Sequence, residues 1–158
     1  MEISVVQTME YGKLECRLRA EIGRRATRLT EAPRTLLIID DDPNIRQLLC
    51  QELAGEHRHI REAGSGVEAL SMIDSEPPDL VILDVQMPHL NGFAVAARLR
   101  SDPVTLDLPI VLHTVAEDRK LGEHLGIDAY LTKPVIGSVL VETVRSLSSG
   151  KRVKKFCC

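Results

Sequence analysis

Apolar and polar positions alternate in blocks along most of this chain. Thr35–Ile39 (TLLII), Leu80–Leu83 (LVIL) and Ile110–His113 (IVLH) are nearly continuous apolar runs. They are too short for helices and have the length of strands buried on both faces. Ile127–Thr132 reads as a further strand, and residues 57–61 as a charged one suited to a sheet edge. Between these runs the apolar residues fall at helical spacing. Asp42-Pro43 is a helix start, with Asp as cap and Pro in the first turn. Ile45, Leu48, Leu49 and Leu53 follow as the apolar face, and Gly55 ends the helix. Gly64-Ser65-Gly66 turns into a second helix with Val67, Leu70 and Ile73 on its face and Ala69 and Met72 beside them. A third starts near Gly92, carries Phe93, Val95, Ala96 and Leu99, and closes at Asp102-Pro103. A short fourth lies around Asp118–Leu125 and ends at Gly126; the last holds Val139, Leu140, Val144 and Leu147.

Strands alternating with helices predict an α/β fold with a parallel sheet. Five strands and five helices fit a flavodoxin-like doubly wound sheet, order 2-1-3-4-5. The polar residues that end the strands then matter most. The first delivers Asp40-Asp41-Asp42, and the third Asp84, followed by Gln86-Met87-Pro88 and Gly92. The fourth ends on Thr114, and the fifth on Lys133-Pro134. In such a sheet ligands bind at the carboxyl edge, and the switch point between strands 1 and 3 would set Asp40, Asp41 and Asp84 side by side. Grouped carboxylates suit a hard divalent cation; a hydroxyl and an ammonium suit a phosphoryl group.

Residues 35–148 are the predicted domain, 149–158 a basic tail, and 1–34 an extension. In the extension Leu14, Leu18, Ile22, Ala26 and Leu29 predict one amphipathic helix before Ala32-Pro33. The formal net charge of −3 is uneven. Residues 1–34 carry seven Lys/Arg and five Glu, and 151–158 carry four basic residues and no acid, so the central segment carries an excess of nine acids. An acidic centre suits a cation site and argues against direct nucleic-acid binding. Aromatic residues make up 3% of the chain and Trp is absent, so the core must be aliphatic. No apolar run approaches the roughly 18 residues of a membrane span. The first residues do not have the pattern of a secretory signal, and a cytoplasmic location is expected. Cys16, Cys50, Cys157 and Cys158 have no zinc-ligand spacing. Gly64-Ser65-Gly66 lacks the full glycine fingerprint of a dinucleotide site.

The acidic cluster, Asp84 in a DxxMP context, Gly92, Thr114 and Lys133-Pro134, in this order, resemble the receiver domain of two-component response regulators. The resemblance covers about residues 35–148. It implies a phosphoacceptor that takes a phosphoryl group onto Asp84 from a sensor histidine kinase or phosphotransfer protein and then switches its binding to a protein partner. It implies no enzyme activity beyond self-catalysed phosphorylation and dephosphorylation. Magnesium would be held by Asp41 and Asp84 directly, by Asp40 through water, and by the backbone carbonyl of Gln86. Lys133 would pair with the phosphoryl group, through a Lys-Pro bond that is cis in the family, and Thr114 would donate its hydroxyl. Tyr130 matches the switch aromatic, turning inward as Thr114 moves. Asp42 is left as a helix cap.

Three departures from the family bear on this. Val115 replaces a small residue, and its bulk is expected to narrow the path to the site. The Thr114 to Lys133 interval is about three residues short, which trims the fourth helix, and Val135 stands where Phe often follows. These motivate an alternative, a pseudo-receiver that binds partners without phosphorylation. A hydrolase using an aspartyl-phosphate intermediate would need a second acid at Gln86. His89 and His124 read as surface residues, His57 and His59 as a solvent-facing pair, and His113 as pointing away from the site. The short segment after the last helix leads to the expectation of a stand-alone receiver without an output domain.

Overall fold

The computed structural model describes residues 34–55, 59–115, 119–135, 137–149 and 155–156. The elements in chain order are β1 (Thr35–Ile39), α1 (Pro43–Leu53), β2 (His59–Ala63), α2 (Gly66–Ser75), β3 (Leu80–Leu83) and α3 (Gly92–Ser101). Then come β4 (Ile110–Thr114), α4 (Arg119–His124), β5 (Ala129–Thr132), α5 (Gly137–Ser148) and a two-residue β6 (Lys155–Phe156). The strands form one parallel sheet, β2-β1-β3-β4-β5-β6. The doubly wound 2-1-3-4-5 order is therefore found, with β6 added beside β5. The sequence reading missed β6 because two residues carry no periodicity. The amphipathic helix expected within 1–34, and His57, lie outside the described residues.

Strand alternation divides the apolar residues between two cores. Leu37, Ile39, Val81, Leu83, Ile110 and Leu112 share one face with Tyr130 and pack against Ala69, Ile73, Val95, Ala96 and Leu99 of α2 and α3. Leu36, Ile38, Leu80, Ile82, Val111, Ala129 and Leu131 face the other way, onto Leu49, Leu53, Leu140, Val144 and Leu147 of α1 and α5. Each fully buried Leu or Ile contributes about 1.5–3 kcal/mol of transfer free energy. The central strands read as unbroken apolar runs because both faces are covered. β2, paired only with β1 among the described residues, is the half-exposed edge that its charges predicted.

Two expected core residues face solvent. Leu48 is 50% exposed and Val67 65%. In α1 the buried stripe is Leu49 and Leu53, with Ile45 packed against it, and Leu48 lies one helical step off it. In α2 the stripe is Gly66, Ala69 and Ile73, because Gly66 presses against Val95 and Leu90 and turns Val67 outward. β2 also runs two residues past its expected end, to Ala63, in register with Ile39, and residues 57–58 lie outside the described residues. β5 starts at Ala129, while Ile127 is buried in the preceding loop. The helix starts follow the sequence: Asp42 caps α1 by accepting from the Asn44 N–H, Ser65 caps α2 and Asn91 caps α3.

Candidate functional site

The sheet's hydrogen bonding continues past the strand ends and carries the polar residues with it. The Asp40 N–H donates to the Ala63 carbonyl at 3.2 Å and the Asp84 N–H to the Ile39 carbonyl at 2.8 Å. The Lys133 N–H donates to the Thr114 carbonyl at 3.1 Å. Asp40, Asp84, Thr114 and Lys133 thus meet at the carboxyl edge of four adjacent strands. The turn after Asp84 is tight: the Gly92 N–H donates to the Val85 carbonyl at 3.0 Å. A Cβ at Gly92 would collide with the Asp84 carbonyl oxygen and come within 2.8 Å of the Val85 Cα. Glycine there is a condition of presenting Asp84.

Asp40 (1% exposed) and Asp84 (4% exposed) are buried carboxylates, and Asp41 beside them is exposed. One oxygen from each of the three lies within 4.8 Å of the other two. The Lys133 ammonium bridges two of them, 2.7 Å from Asp40 Oδ2 and 3.2 Å from Asp84 Oδ2. The Lys133-Pro134 bond is cis. Asp40 Oδ1 accepts from the Asp42 N–H at 2.9 Å, and Asp84 Oδ1 accepts from the Gln86 N–H at 3.3 Å. Burial holds the Asp84 carboxyl above its usual range; the charge of Lys133 opposes this and that of Asp40 adds to it. Burial works to lower the Lys133 ammonium, but the hydrogen bond and charge of Asp40, with Asp84 behind, outweigh it and leave Lys133 raised.

Three clustered carboxylates with one lysine carry a net negative charge that a hard cation would neutralise. All donors offered are oxygens, as magnesium or calcium prefers, so the residues fit such an ion. Thr114 is buried at the end of β4, and Val115 next to it is 53% exposed. Tyr130 is buried, on the same face as Leu112. α4 is described over Arg119–His124, and residues 116–118 before it lie outside the described residues. His113 is buried and, by strand alternation, lies on the face opposite Thr114; neither ring nitrogen has a partner among the described residues. His89, His59 and His124 are exposed.

Arg46 was missed by the sequence reading. Its guanidinium reaches the carbonyls of Asp40 at 2.8 Å and Asp41 at 3.4 Å, and its Nε lies 3.2 Å from Glu62 Oε2. The available signal was its place in α1: a long basic side chain one turn after the acidic triplet can fold back under it.

The sequence profile of the response regulator receiver domain matches residues 36–145. The chain belongs to this receiver family. The receiver is 38% identical over 122 residues to the response regulator PleD of Caulobacter vibrioides, covering 75% of this chain and 27% of PleD. The chain therefore spans about a quarter of that relative's length. Among solved structures, a response regulator from Chloroflexus aurantiacus matches with TM-score 0.70 and 37% identity, over 74% of this chain and 98% of that one. The chemotaxis protein CheY4 of Vibrio cholerae matches with TM-score 0.68 and 28% identity, over 72% and 98%. Receiver domains act in two-component systems, interact with histidine kinases or phosphotransfer proteins, and generally bind magnesium in an acidic pocket. No described helix is long and apolar enough to cross a membrane.

Proposed function

We propose that this receiver accepts a phosphoryl group on Asp84, from a phosphohistidine of a sensor kinase or phosphotransfer protein or from a small acyl phosphate. The observation that carries the reading is the Lys133 ammonium bridging Asp40 and Asp84, with Asp41 alongside. An Asp84 oxygen attacks phosphorus; the P–N or P–O bond to the donor breaks, and the donor leaves with its electron pair. Asp41 and Asp84, with Asp40 through water and the Gln86 carbonyl, would hold magnesium. Bound there, the ion supplies positive charge to the transferring oxygens.

The chain's own residues do the rest. Lys133 leaves Asp84 and pairs with the incoming phosphoryl oxygens, keeping its hold on Asp40. Thr114 donates its hydroxyl to a phosphoryl oxygen, and Tyr130 on the same face follows that movement, shifting a pre-existing equilibrium. A protein partner reads the shift. Residues 35–148 form the receiver unit in this reading, with 1–34 and 149–158 as extensions, in the cytoplasm. The exposed Val115 and the short interval from Thr114 to Lys133 favour a second reading, a binding module that keeps the fold without being phosphorylated.

The test is incubation with magnesium and a small-molecule phosphodonor, followed by intact mass, with Asp84→Asn as control. A magnesium-dependent gain of one phosphoryl group, lost in the variant, is the expected result. Magnesium binding without a product, in wild type and in Val115→Ala alike, would establish the binding module instead.

A further inference from the structure

The three carboxylates are not held alike. Asp40 is fixed by Lys133 and by the Asp42 N–H, and Asp84 by Lys133 and the Gln86 N–H. The exposed Asp41 carboxylate has no hydrogen bond or ion pair among the described residues. Its direction is set by its own backbone. The two peptide groups that flank its Cα are those whose carbonyls, of Asp40 and Asp41, accept from Arg46 Nη1 at 2.8 and 3.4 Å. Arg46 is anchored in turn at 3.2 Å to Glu62 on β2, and Glu62 is paired across the sheet with Ile38 of β1.

We propose that Arg46 is a positioning residue for the cation site, holding the Asp40–Asp41 backbone so that the Asp41 carboxylate is presented to the metal. This rests on the reading of the acidic cluster as a magnesium site. A competing effect has the opposite sign. A guanidinium near a cation repels it, and Glu62 offsets that charge only in part. If repulsion dominated, removing Arg46 would tighten magnesium binding; if positioning dominates, removal weakens it. The bifurcated grip favours positioning, because one nitrogen spans both peptides flanking Asp41 while Nε is tied to the sheet through Glu62. Partners that orient metal ligands typically govern metal affinity by about 10–100-fold.

The experiment is calorimetric titration of magnesium into the full chain at pH 7 in low salt, for wild type, Asp84→Asn, Arg46→Ala and Arg46→Lys, with thermal melts alongside. Arg46→Ala is expected to bind about tenfold more weakly. Arg46→Lys keeps the charge but cannot hold Glu62 and the carbonyls together, and it is expected to lose affinity as well. At saturating magnesium the phosphorylation rate of both variants should return to that of wild type, which a general loss of structure would not allow. Wild-type or tighter affinity in Arg46→Ala would overturn the proposal; should that variant not fold, wild-type affinity in Arg46→Lys would do so. Failure of wild type itself to bind magnesium would instead remove the cation-site reading, and this inference with it.

Discussion

The ring of Tyr130 lies against the backbone of α4 at Gly122, where a Cβ would occupy the space of the phenol. Tyr130 is thus buried against α4, and a residue without a side chain on the helix opposite makes room for it. Replacing a helical Gly by Ala normally stabilises by about 1 kcal/mol. Here overpacking, about 1–3 kcal/mol, should reverse the sign. Gly122→Ala is expected to destabilise wild type in urea unfolding, yet to be neutral or stabilising in a Tyr130→Leu background. Equal effects in the two backgrounds would show that the two residues are not coupled.

Asp84 offers a test by pH. Its carboxyl is raised in the folded state, chiefly by burial, so the folded chain binds that proton more tightly than the unfolded one. Stability from this group is complete below pH ~3.8 and is lost as pH rises through the folded value. Asp84→Asn should therefore raise Tm at pH 7 without magnesium. At pH 3 the gain should vanish. Saturating magnesium should shrink it at pH 7, because the ion binds the ionised wild-type carboxylate.

His113 has the opposite sign. Burial lowers its imidazole to about 4, with Lys133 lowering it further and Asp40 opposing. The buried neutral ring contributes stability above pH ~6.5 that is lost as pH falls toward the folded value. The loss over that window is about 3 kcal/mol. In His113→Leu, denaturant midpoints between pH 7 and 4.5 should fall less steeply than in wild type. Parallel slopes would mean that His113 does not titrate in this way.

Lys133 neutralises two buried acids, so removing it leaves both uncompensated. Lys133→Ala should cost about 3–5 kcal/mol at pH 7 without magnesium. Added magnesium should restore more stability to the variant than to wild type, as the ion takes over the neutralising charge. A loss that magnesium does not reduce would argue against a cation among these carboxylates.

Much of the fold was legible because each layer left a simple trace. Continuous apolar runs such as LVIL marked strands covered on both faces, and Asp42, Ser65 and Gly92 marked helix starts by their local chemistry. Helix faces were less legible. Leu48 and Val67 satisfied the helical period but point outward, because the stripe that faces the sheet is chosen by close approaches such as that of Gly66 to Val95. The two-residue β6 left no pattern to read.

By itself the sequence determined which residues end the strands, and hence that Asp40, Asp84, Thr114 and Lys133 would gather at one edge. Strand identity and parallel order depend on local periodicity and connection, which a chain carries in its own letters. The tertiary structure alone decided how those groups are held: Lys133 between two carboxylates, Arg46 tied to Glu62 of β2, Tyr130 against Gly122. Each joins residues distant in the chain or crosses from one element to another. Contacts of a few ångströms between side chains follow from packing, which no spacing along a sequence encodes.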